Sequence, residues 1–413
     1  MRYIRLALRI LFFATLLFCI TVFTAVIVMN RTVSREYKIN RGDTFKIDSA
    51  IPVTVDFKGV KASSEDFKNV GEVFDVDLKI LGIIPFSKAS VTVVDETYVS
   101  VLGTPFGMKI YTNGLLVIST GDVETASGTV NPAQDAGIKV GDYIVSANGE
   151  RINCNEDLVE TVIESGGKPL ALEITRAGKS KKLSVTPALD KNEGLYRIGV
   201  WVRDSSAGVG TLTFYSPASN VICGLGHGIC DRDTGKLLSL EHGELVSAEI
   251  ISVIKGSAGE PGELKGRFTS DRISDIALNT DNGVYGNPYK LLDTSKLVKV
   301  AYKQDIKNGD AQILCTISGD KPKLYSCRVQ KRTGAYDLNT QNMIVTVTDK
   351  ELISATGGII QGMSGSPILQ NGELIGAVTH VFVDDPKKGY AVFAENMLDT
   401  AASAAKERLK NAS

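Results

Sequence analysis

The chain has 413 residues, a formal net charge of −1 and 43% hydrophobic residues. That length exceeds one ordinary core and suggests two or three domains, and a charge so near zero gives no electrostatic reason to expect a nucleic-acid partner. Glycine is frequent, at 40 residues, and valine, isoleucine and threonine recur in short alternating runs, so mostly β structure is expected.

The chain begins differently. Ile10 to Met29, ILFFATLLFCITVFTAVIVM, is an uncharged run of 20 residues, long enough to cross a hydrocarbon core of about 30 Å. It reads as a membrane span or a signal core. No small-residue cleavage site precedes Asn30, which favours an uncleaved transmembrane anchor within residues 1–32. Arg2, Arg5 and Arg9 precede the run and Arg31, Arg35, Lys38 and Arg41 follow it, so charge alone leaves the orientation open. Cys19 lies in the run. Cys154, Cys223, Cys230, Cys315 and Cys327 are odd in number and imply no complete disulfide framework. Cys223 and Cys230 bracket a histidine without the paired short spacings of a zinc site, and read as small buried residues.

Residues 33–97 open with a polar juxtamembrane linker. A small β region follows, in which IPVTVDF, VFDVDLKILGIIPF and ASVTVV each have period two. Residues 98–187 carry an ordered series: NPAQDAG, then IKVGDYIVSANGERI, then NEDLVETVIES, then two further strands. AGIKVGDYIVSANG at Ala136 to Gly149 gives a short helix end, a buried strand and an Asn148-Gly149 turn. This segment resembles a PDZ domain. The resemblance implies a peptide groove whose loop is Pro105, Phe106, Gly107 and Met108, whose edge strand is Gly107 to Tyr111, including Ile110, and whose helix is Glu156 to Glu164. Pro105 has no N–H to offer a peptide carboxylate, so binding of an internal segment or of the chain itself stays open.

Residues 188–413 carry the chemistry. YRIGVWVRDSSAGVGTLTFYSP reads as two strands and leads into VICGLGHGICD, where His227 sits between glycines at a strand end, free to act as a general base. Only two other histidines exist: His242 in a polar turn and His380 on an apolar strand. Gly362 to Pro367, GMSGSP, follows G-x-S-G-x-P. Serine acyl transfer needs an exposed hydroxyl, a tight turn and free N–H groups, and the amides of Gly362 and Ser364 are placed to form an oxyanion hole. The two strands after Ser364, GELIGAVTHVF and GYAVFAE, have the order found after the nucleophile of chymotrypsin-like peptidases. By that likeness Thr379 and His380 line the substrate edge and Gly389 walls the pocket. An alanine-rich C-terminal helix closes the chain.

Taken in order, anchor, PDZ segment, GLGHGICD and TGGIIQGMSGSPI resemble the stage IV sporulation protein B peptidases of spore-forming bacteria. The resemblance implies a chymotrypsin-like double β-barrel and a triad of His227, Asp349 and Ser364, with no metal or other cofactor needed. It further implies a location in the space between the two forespore membranes. The substrates it implies are the chain itself and the exposed part of a membrane-bound regulator, whose cleavage leads to intramembrane protease activation and sigma-factor maturation. Asp349 lies only 15 residues before Ser364; Asp271, Asp275, Asp281 and Asp293 are positional alternatives, and a helix-capping role for Asp349 is a competing reading. An inactive PDZ adaptor at the membrane is the rival from another functional class.

Overall fold

The structure, a computed structural model, describes residues 2–47, 51–57, 67–332 and 340–411. Helix α1 (Arg2–Thr32) has 31 residues, a length of about 45 Å at 1.5 Å per residue. Along its first half the described side chains are exposed, Phe12, Phe13 and Leu17 among them, while Met29 near its end is buried, and Tyr3–Asn30 is long and apolar enough to cross a membrane.

Four strands, β1 (Glu36–Asn40), β2 (Val53–Asp56), β3 (Val73–Ile80) and β4 (Ile84–Val94), form a separate sheet in the order β1-β4-β3-β2. Alternation along β3 and β4 turns one face onto a cluster of Phe45, Phe57, Phe67 and Phe74, whose rings meet edge-to-face except for the tilted Phe57–Phe67 pair. Residues 48–50 and 58–66 of the expected β region lie outside the described residues.

The next segment contains β5 (Tyr98–Val101), β6 (Pro105–Thr120), β7 (Val123–Thr125), β8 (Gly128–Val130), α2 (Pro132–Asp135), β9 (Tyr143–Ala147), β10 (Glu150–Arg151), α3 (Asn155–Glu164), β11 (Leu170–Arg176) and β12 (Lys179–Val185). Asn148 and Gly149 both have positive φ and join β9 to β10 in a hairpin. Asp142, buried, takes Arg176 through two 2.6 Å bonds and the Lys139 N–H at 2.8 Å, which fixes the approach to β9.

After β13 (Ala188–Leu189) and β14 (Tyr196–Arg197) come β15 (Val200–Ser216), β16 (Val221–Gly224), β17 (Leu240–Ile254), β18 (Glu263–Thr280), β19 (Gly283–Pro288) and β20 (Leu297–Lys299). The two strands expected in YRIGVWVRDSSAGVGTLTFYSP are in fact the two-residue β14 and one 17-residue strand. Because β6 pairs with β17 on one side and β15 on the other, the path β6-β17-β18-β19-β16-β15 returns on itself as a six-strand ring. Phe106, Met108, Ile110, Leu212, Leu245 and Val284 fill it. A second, closed barrel contains β21 (Gly309–Cys315), β22 (Lys323–Lys331), β23 (Met343–Val347), β24 (Pro367–Gln370), β25 (Glu373–Phe382) and β26 (Asp385–Phe393), with α4 (Lys350–Thr356) between β23 and β24. Helix α5 (Ala394–Asn411) follows and packs Met397 and Ala401 between the barrels' outer faces. The fold is mostly β, with two barrels of the chymotrypsin-like kind.

Two long strands serve two regions at once. Residues 105–111 of β6 and 205–216 of β15 belong to the first ring, whereas Leu115 and Leu116 of β6 pair with β9.

Candidate active site

Ser364 sits in the loop between α4 and β24. Gly362 and Gly365 both have φ of +92°, a region open to glycine at low cost, and together they fold the chain back on either side of the serine. At Gly365 a Cβ would lie 2.0 Å from the Thr211 carbonyl oxygen and 2.5 Å from the Leu225 nitrogen. Only glycine lets the serine turn touch the first ring this closely. The loop is held from β15: the Thr211 N–H donates to the Ser364 carbonyl at 2.9 Å, its hydroxyl donates to the Gly362 carbonyl at 2.9 Å, and the Thr213 hydroxyl donates to the Gly365 carbonyl at 2.7 Å. With those carbonyls turned toward β15, the N–H groups of Gly362 and Ser364 donate to no acceptor among the described residues. Unpaired amides one residue apart are the arrangement an oxyanion hole requires. The Ser364 hydroxyl itself donates to the Thr379 carbonyl at 2.7 Å.

His227 follows β16 on a strained turn. Leu225 and Gly226 have φ of +67° and +68°; for a leucine that conformation costs about 1–2 kcal/mol. The glycine on the other side is also required, since a Cβ at Gly228 would lie 2.2 Å from Leu237 and 2.7 Å from the Thr280 carbonyl. The ring is half-buried, and its Nδ1 lies 2.9 Å from the Gly228 carbonyl. A carbonyl only accepts, so this bond places the proton on Nδ1 and leaves Nε2 with its lone pair free. Burial, then the nearby His380, lower the pKa of His227 to about 4, against the opposing pull of the Gly228 carbonyl. The imidazole is therefore neutral at physiological pH, the state a general base needs.

The two loops meet. The His380 ring lies on the His227 ring at 4.6 Å between centroids, and His380 directly follows Thr379, whose carbonyl holds the serine hydroxyl. A Cβ at Gly226 would stand 3.2 Å from Thr379. No hydrogen bond joins the Ser364 and His227 side chains in this arrangement.

Asp349 is not brought to His227. Its carboxylate caps α4, accepting from the N–H groups of Glu351 at 2.9 Å and Leu352 at 3.1 Å, and accepts from the Ser326 N–H at 3.2 Å. Burial raises its pKa, but those three amides outweigh the effect and leave it below the ordinary carboxylate range. In place of a carboxylate, the Gly228 carbonyl orients the imidazole. Asp275 is engaged by Tyr289 and Arg272, and Asp293 by Ser295.

Several expectations need correction. Gly389 does not open a pocket: the space its Cβ would take is occupied by the His380 carbonyl at 2.5 Å and Ile359 at 2.8 Å. Thr379 is buried and presents its carbonyl to Ser364 rather than its side chain to a substrate, while His380 is exposed beside His227. Cys223 is buried as expected, but Cys230 is exposed. His242 lies on β17, stacked on Tyr111 at 4.4 Å, not in a turn.

Phe106, Gly107, Met108 and Ile110 do not border a peptide groove. Their stretch of β6 is flanked by β15 and β17, so both backbone edges are paired, and Phe106, Met108 and Ile110 point into the first ring. The strands beside α3 are instead β14 and the start of β15, and β15 pairs along the far end of β6. Val200 pairs with Thr120, Trp201 with Ser119, Val202 with Val117 and Arg203 with Leu116, all antiparallel. Val200 and Val202 pack on the cluster that holds Leu158 and Val162 of α3. A cavity of about 490 Å³, lined by Val159, Ile163, Tyr196 and Trp201 among others, remains alongside.

Residues that sequence reasoning passed over support both loops. Asn279 accepts from the Ile229 N–H at 2.8 Å and donates to the Ile229 and Leu238 carbonyls at 3.0 Å, clamping the chain just beyond His227. Thr211 and Thr213 had a legible signal: two threonines at alternate positions of an otherwise apolar run share one face of a strand. Among the described residues, no three His, Cys, Asp or Glu side chains are grouped to hold a metal ion.

Residues 194–398 match the SpoIVB peptidase S55 family, and residues 103–186 match a PDZ domain. Local likeness extends to the zinc metalloprotease RasP of Geobacillus kaustophilus, 31% identical over 123 residues, 28% of this chain and 29% of that protein. The regulator of sigma-W protease RasP of Bacillus subtilis is 40% identical over 67 residues, 16% of each chain. The chain thus spans less than a third of the length of these curated relatives. Among solved structures, the PDZ domain of an SdrC-like protein of Listeria monocytogenes aligns with a TM-score of 0.18 and 18% identity, over 22% of this chain and 87% of that one. Rv3671c of Mycobacterium tuberculosis, in an inactive serine-to-alanine form, aligns with a TM-score of 0.23 and 14% identity, over 48% and 82%.

Proposed function

Since the chain belongs to the SpoIVB peptidase S55 family and carries a PDZ domain ahead of its peptidase region, we propose that it is a membrane-anchored serine endopeptidase in which Ser364 is the nucleophile and His227 the general base. The observation that carries this reading is the pair of unpaired amides at Gly362 and Ser364 next to a neutral histidine whose Nε2 is free. In the reaction the Ser364 hydroxyl exchanges the Thr379 carbonyl for His227 Nε2 and attacks the scissile carbonyl carbon. Its proton passes to Nε2, and the oxyanion settles on the two amides. Collapse of the tetrahedral intermediate breaks the C–N bond as His227 returns that proton to the leaving amine. Water then repeats the sequence on the acyl-enzyme and frees Ser364. The Gly228 carbonyl holds Nδ1–H throughout, so the tautomer is fixed without a carboxylate in contact. The triad role of Asp349 would require its helix cap to open first.

Substrates follow from the tether. A peptidase held to a bilayer by α1 meets segments of its own chain and of neighbouring membrane proteins at high effective concentration. On the family resemblance, with which this tether is consistent, we assign as substrates the chain itself and the exposed domain of a membrane-bound regulator of sporulation signalling. Cleavage of that regulator would lead to intramembrane protease activation and sigma-factor maturation, with the peptidase region exported into the space between the forespore membranes.

The test is labelling of the full chain by a fluorophosphonate, beside self-cleavage. Ser364→Ala and His227→Ala should each lower self-cleavage by ~10⁶-fold, with the double variant no worse, because the two act as a unit. Labelling at a site other than Ser364, or processing retained in either folded variant, overturns the assignment.

A further inference from the structure

The strand seated in the PDZ groove is the strand that holds the catalytic loops. At its start, Val200 to Arg203 lie on β6 beside α3, where a PDZ domain would take a peptide as an added strand. Farther along, Thr211 and Thr213 fix the nucleophile turn. Between them the strand reaches the histidine loop through one side chain. The Arg203 guanidinium forks between two carboxylates, bonding Asp231 with one nitrogen and Asp233 with the other at 2.6 Å.

Asp231 is the organising group of the turn beyond His227. Its side chain is fully buried, and it accepts from the Asp233 and Thr234 N–H groups at 3.1 and 2.8 Å. Its backbone N–H donates to the Lys236 carbonyl, and the Leu238 N–H donates to the Ile229 carbonyl, so the turn is tied back to the segment carrying Gly228. Without Arg203 this buried carboxylate would keep its two backbone N–H bonds but lose its counter-charge, which weakens the hold on the turn.

We infer that Arg203 is a positioning residue for the catalytic histidine, and that it makes the seating of the chain's own Val200–Arg203 segment in the PDZ groove a condition for an aligned active site. The inference rests on the reading of His227 and Ser364 as base and nucleophile. It identifies the occupant of the groove as an internal strand of the same chain, whose release would loosen the His227 turn at one point and the Thr211 contacts to the serine turn at another.

The experiment uses the full chain in detergent, with the concentration dependence of fluorophosphonate labelling resolving probe binding from bond formation. Arg203→Ala should lower the bond-forming rate at Ser364 by ~10²-fold and change probe binding less than about twofold, the mark of misplacement rather than a lost contact. Arg203→Lys keeps a charge but not the fork, and should recover part of the loss. Arg267→Ala, which breaks only an exposed pair with Glu249, serves as the control and should label at the wild-type rate. Val202→Asp, which puts a charge against the α3 cluster, should reproduce the Arg203→Ala loss, and the double variant should be no worse than either. A thermal melt accompanies each variant, and Val202→Thr replaces Val202→Asp if the latter does not fold. Wild-type labelling by folded Arg203→Ala, a loss confined to probe binding, or multiplying losses in the double variant would overturn the inference.

A second readout does not depend on activity. In chain labelled with isotopic histidine, the ring of His227 should titrate near 4, and Arg203→Ala should move it toward the ordinary value of about 6.5 as the turn opens to water. If the wild type is never labelled at Ser364 but this shift appears, the peptidase reading fails while the positioning role stands. If the shift is absent, the positioning role fails on its own.

Discussion

The two barrels are assembled in opposite ways. The barrel from Gly309 to Phe393 is drawn from one continuous stretch, and most of its strands pair with neighbours in the chain. The ring that presents His227 takes β6 from ahead of the PDZ helices and β15 from behind them, so the PDZ segment lies in the chain between its two halves. A ring closed by distant segments forms later and opens more easily than one closed by local pairs. The serine therefore rides on a self-contained scaffold and the histidine on one shared with the PDZ segment.

The sharpest way to break this pairing is at the seam. Gly365→Ala sets a methyl group 2.0 Å from the Thr211 carbonyl oxygen, at a residue with φ of +92°, so either the serine turn or β15 must move. A displacement of about 1 Å there should cost ~10²–10³-fold in fluorophosphonate labelling. Circular dichroism should still report folded barrels, because the clash lies between them. Near wild-type labelling would mean that the two scaffolds tolerate separation.

The histidine scaffold also sets a pH signature. With His227 lowered to about 4, the acid limb of kcat/KM should fall near pH 4 rather than near the ordinary imidazole value of about 6.5. The folded-state pKa lies below the unfolded one, so the unfolded chain binds the extra proton first. The stabilisation from a neutral His227 is fully present above about pH 6.5 and is lost as pH falls toward 4, a loss of up to about 3 kcal/mol. His380→Gln removes the charge that opposes protonation of His227 and should shift the acid limb upward. An acid limb near 6.5 in the wild type would mean that the ring is solvated in the working enzyme.

A smaller effect tests the serine side. Thr211→Val keeps the shape and the N–H bond to the Ser364 carbonyl but deletes the hydroxyl bond to the Gly362 carbonyl. One such bond is worth about 1 kcal/mol, so kcat should fall ~5–10-fold through a tilted oxyanion amide, with the thermal melt lowered only slightly. An effect on KM alone would place Thr211 in substrate binding instead.

What the sequence disclosed follows the same division. GMSGSP is a local motif, and its turn and strand order were legible in a short run of residues, although Thr211, Leu225 and Leu264, which press on the turn, come from distant segments. GLGHGICD disclosed the histidine, yet not the strained φ of Leu225 or the Asn279 and Asp231 supports, which come from segments whose proximity no periodicity reveals. The long strands were the hardest. Alternation runs from Phe106 to Thr112 and gives way after Asn113-Gly114 to the apolar run Leu115 to Ile118, yet one strand passes through both patterns, and Phe106 to Ile110 were assigned to a groove that the neighbouring strands had already closed. Gly389 was misread for a related reason: a small residue on a strand signals close approach, but not whether a ligand or the Ile359 side chain approaches.

The smallest effect decides the role of Asp349, the residue on which the two barrels' division bears most directly. It belongs to the serine scaffold, capping α4 ahead of the nucleophile loop and bonding Ser326 on β22. As a cap it is replaceable by asparagine, whose side-chain oxygen accepts the same amide bonds, but not by alanine. Asp349→Asn should thus leave labelling within a few-fold of wild type, and Asp349→Ala should lower stability by about 1 kcal/mol with a parallel, modest loss of activity. A carboxylate that instead turned to His227 during catalysis would be needed for its charge: asparagine would then cost ~10⁴-fold by favouring the wrong tautomer, as severe as alanine. The ratio of the two variants, measured in one labelling assay, separates the readings because the cap distinguishes Asn from Ala and the triad does not. If both variants fall together by orders of magnitude in folded protein, the Gly228 carbonyl is insufficient to orient His227, and the active form has drawn a residue of the second barrel across the seam to complete the first.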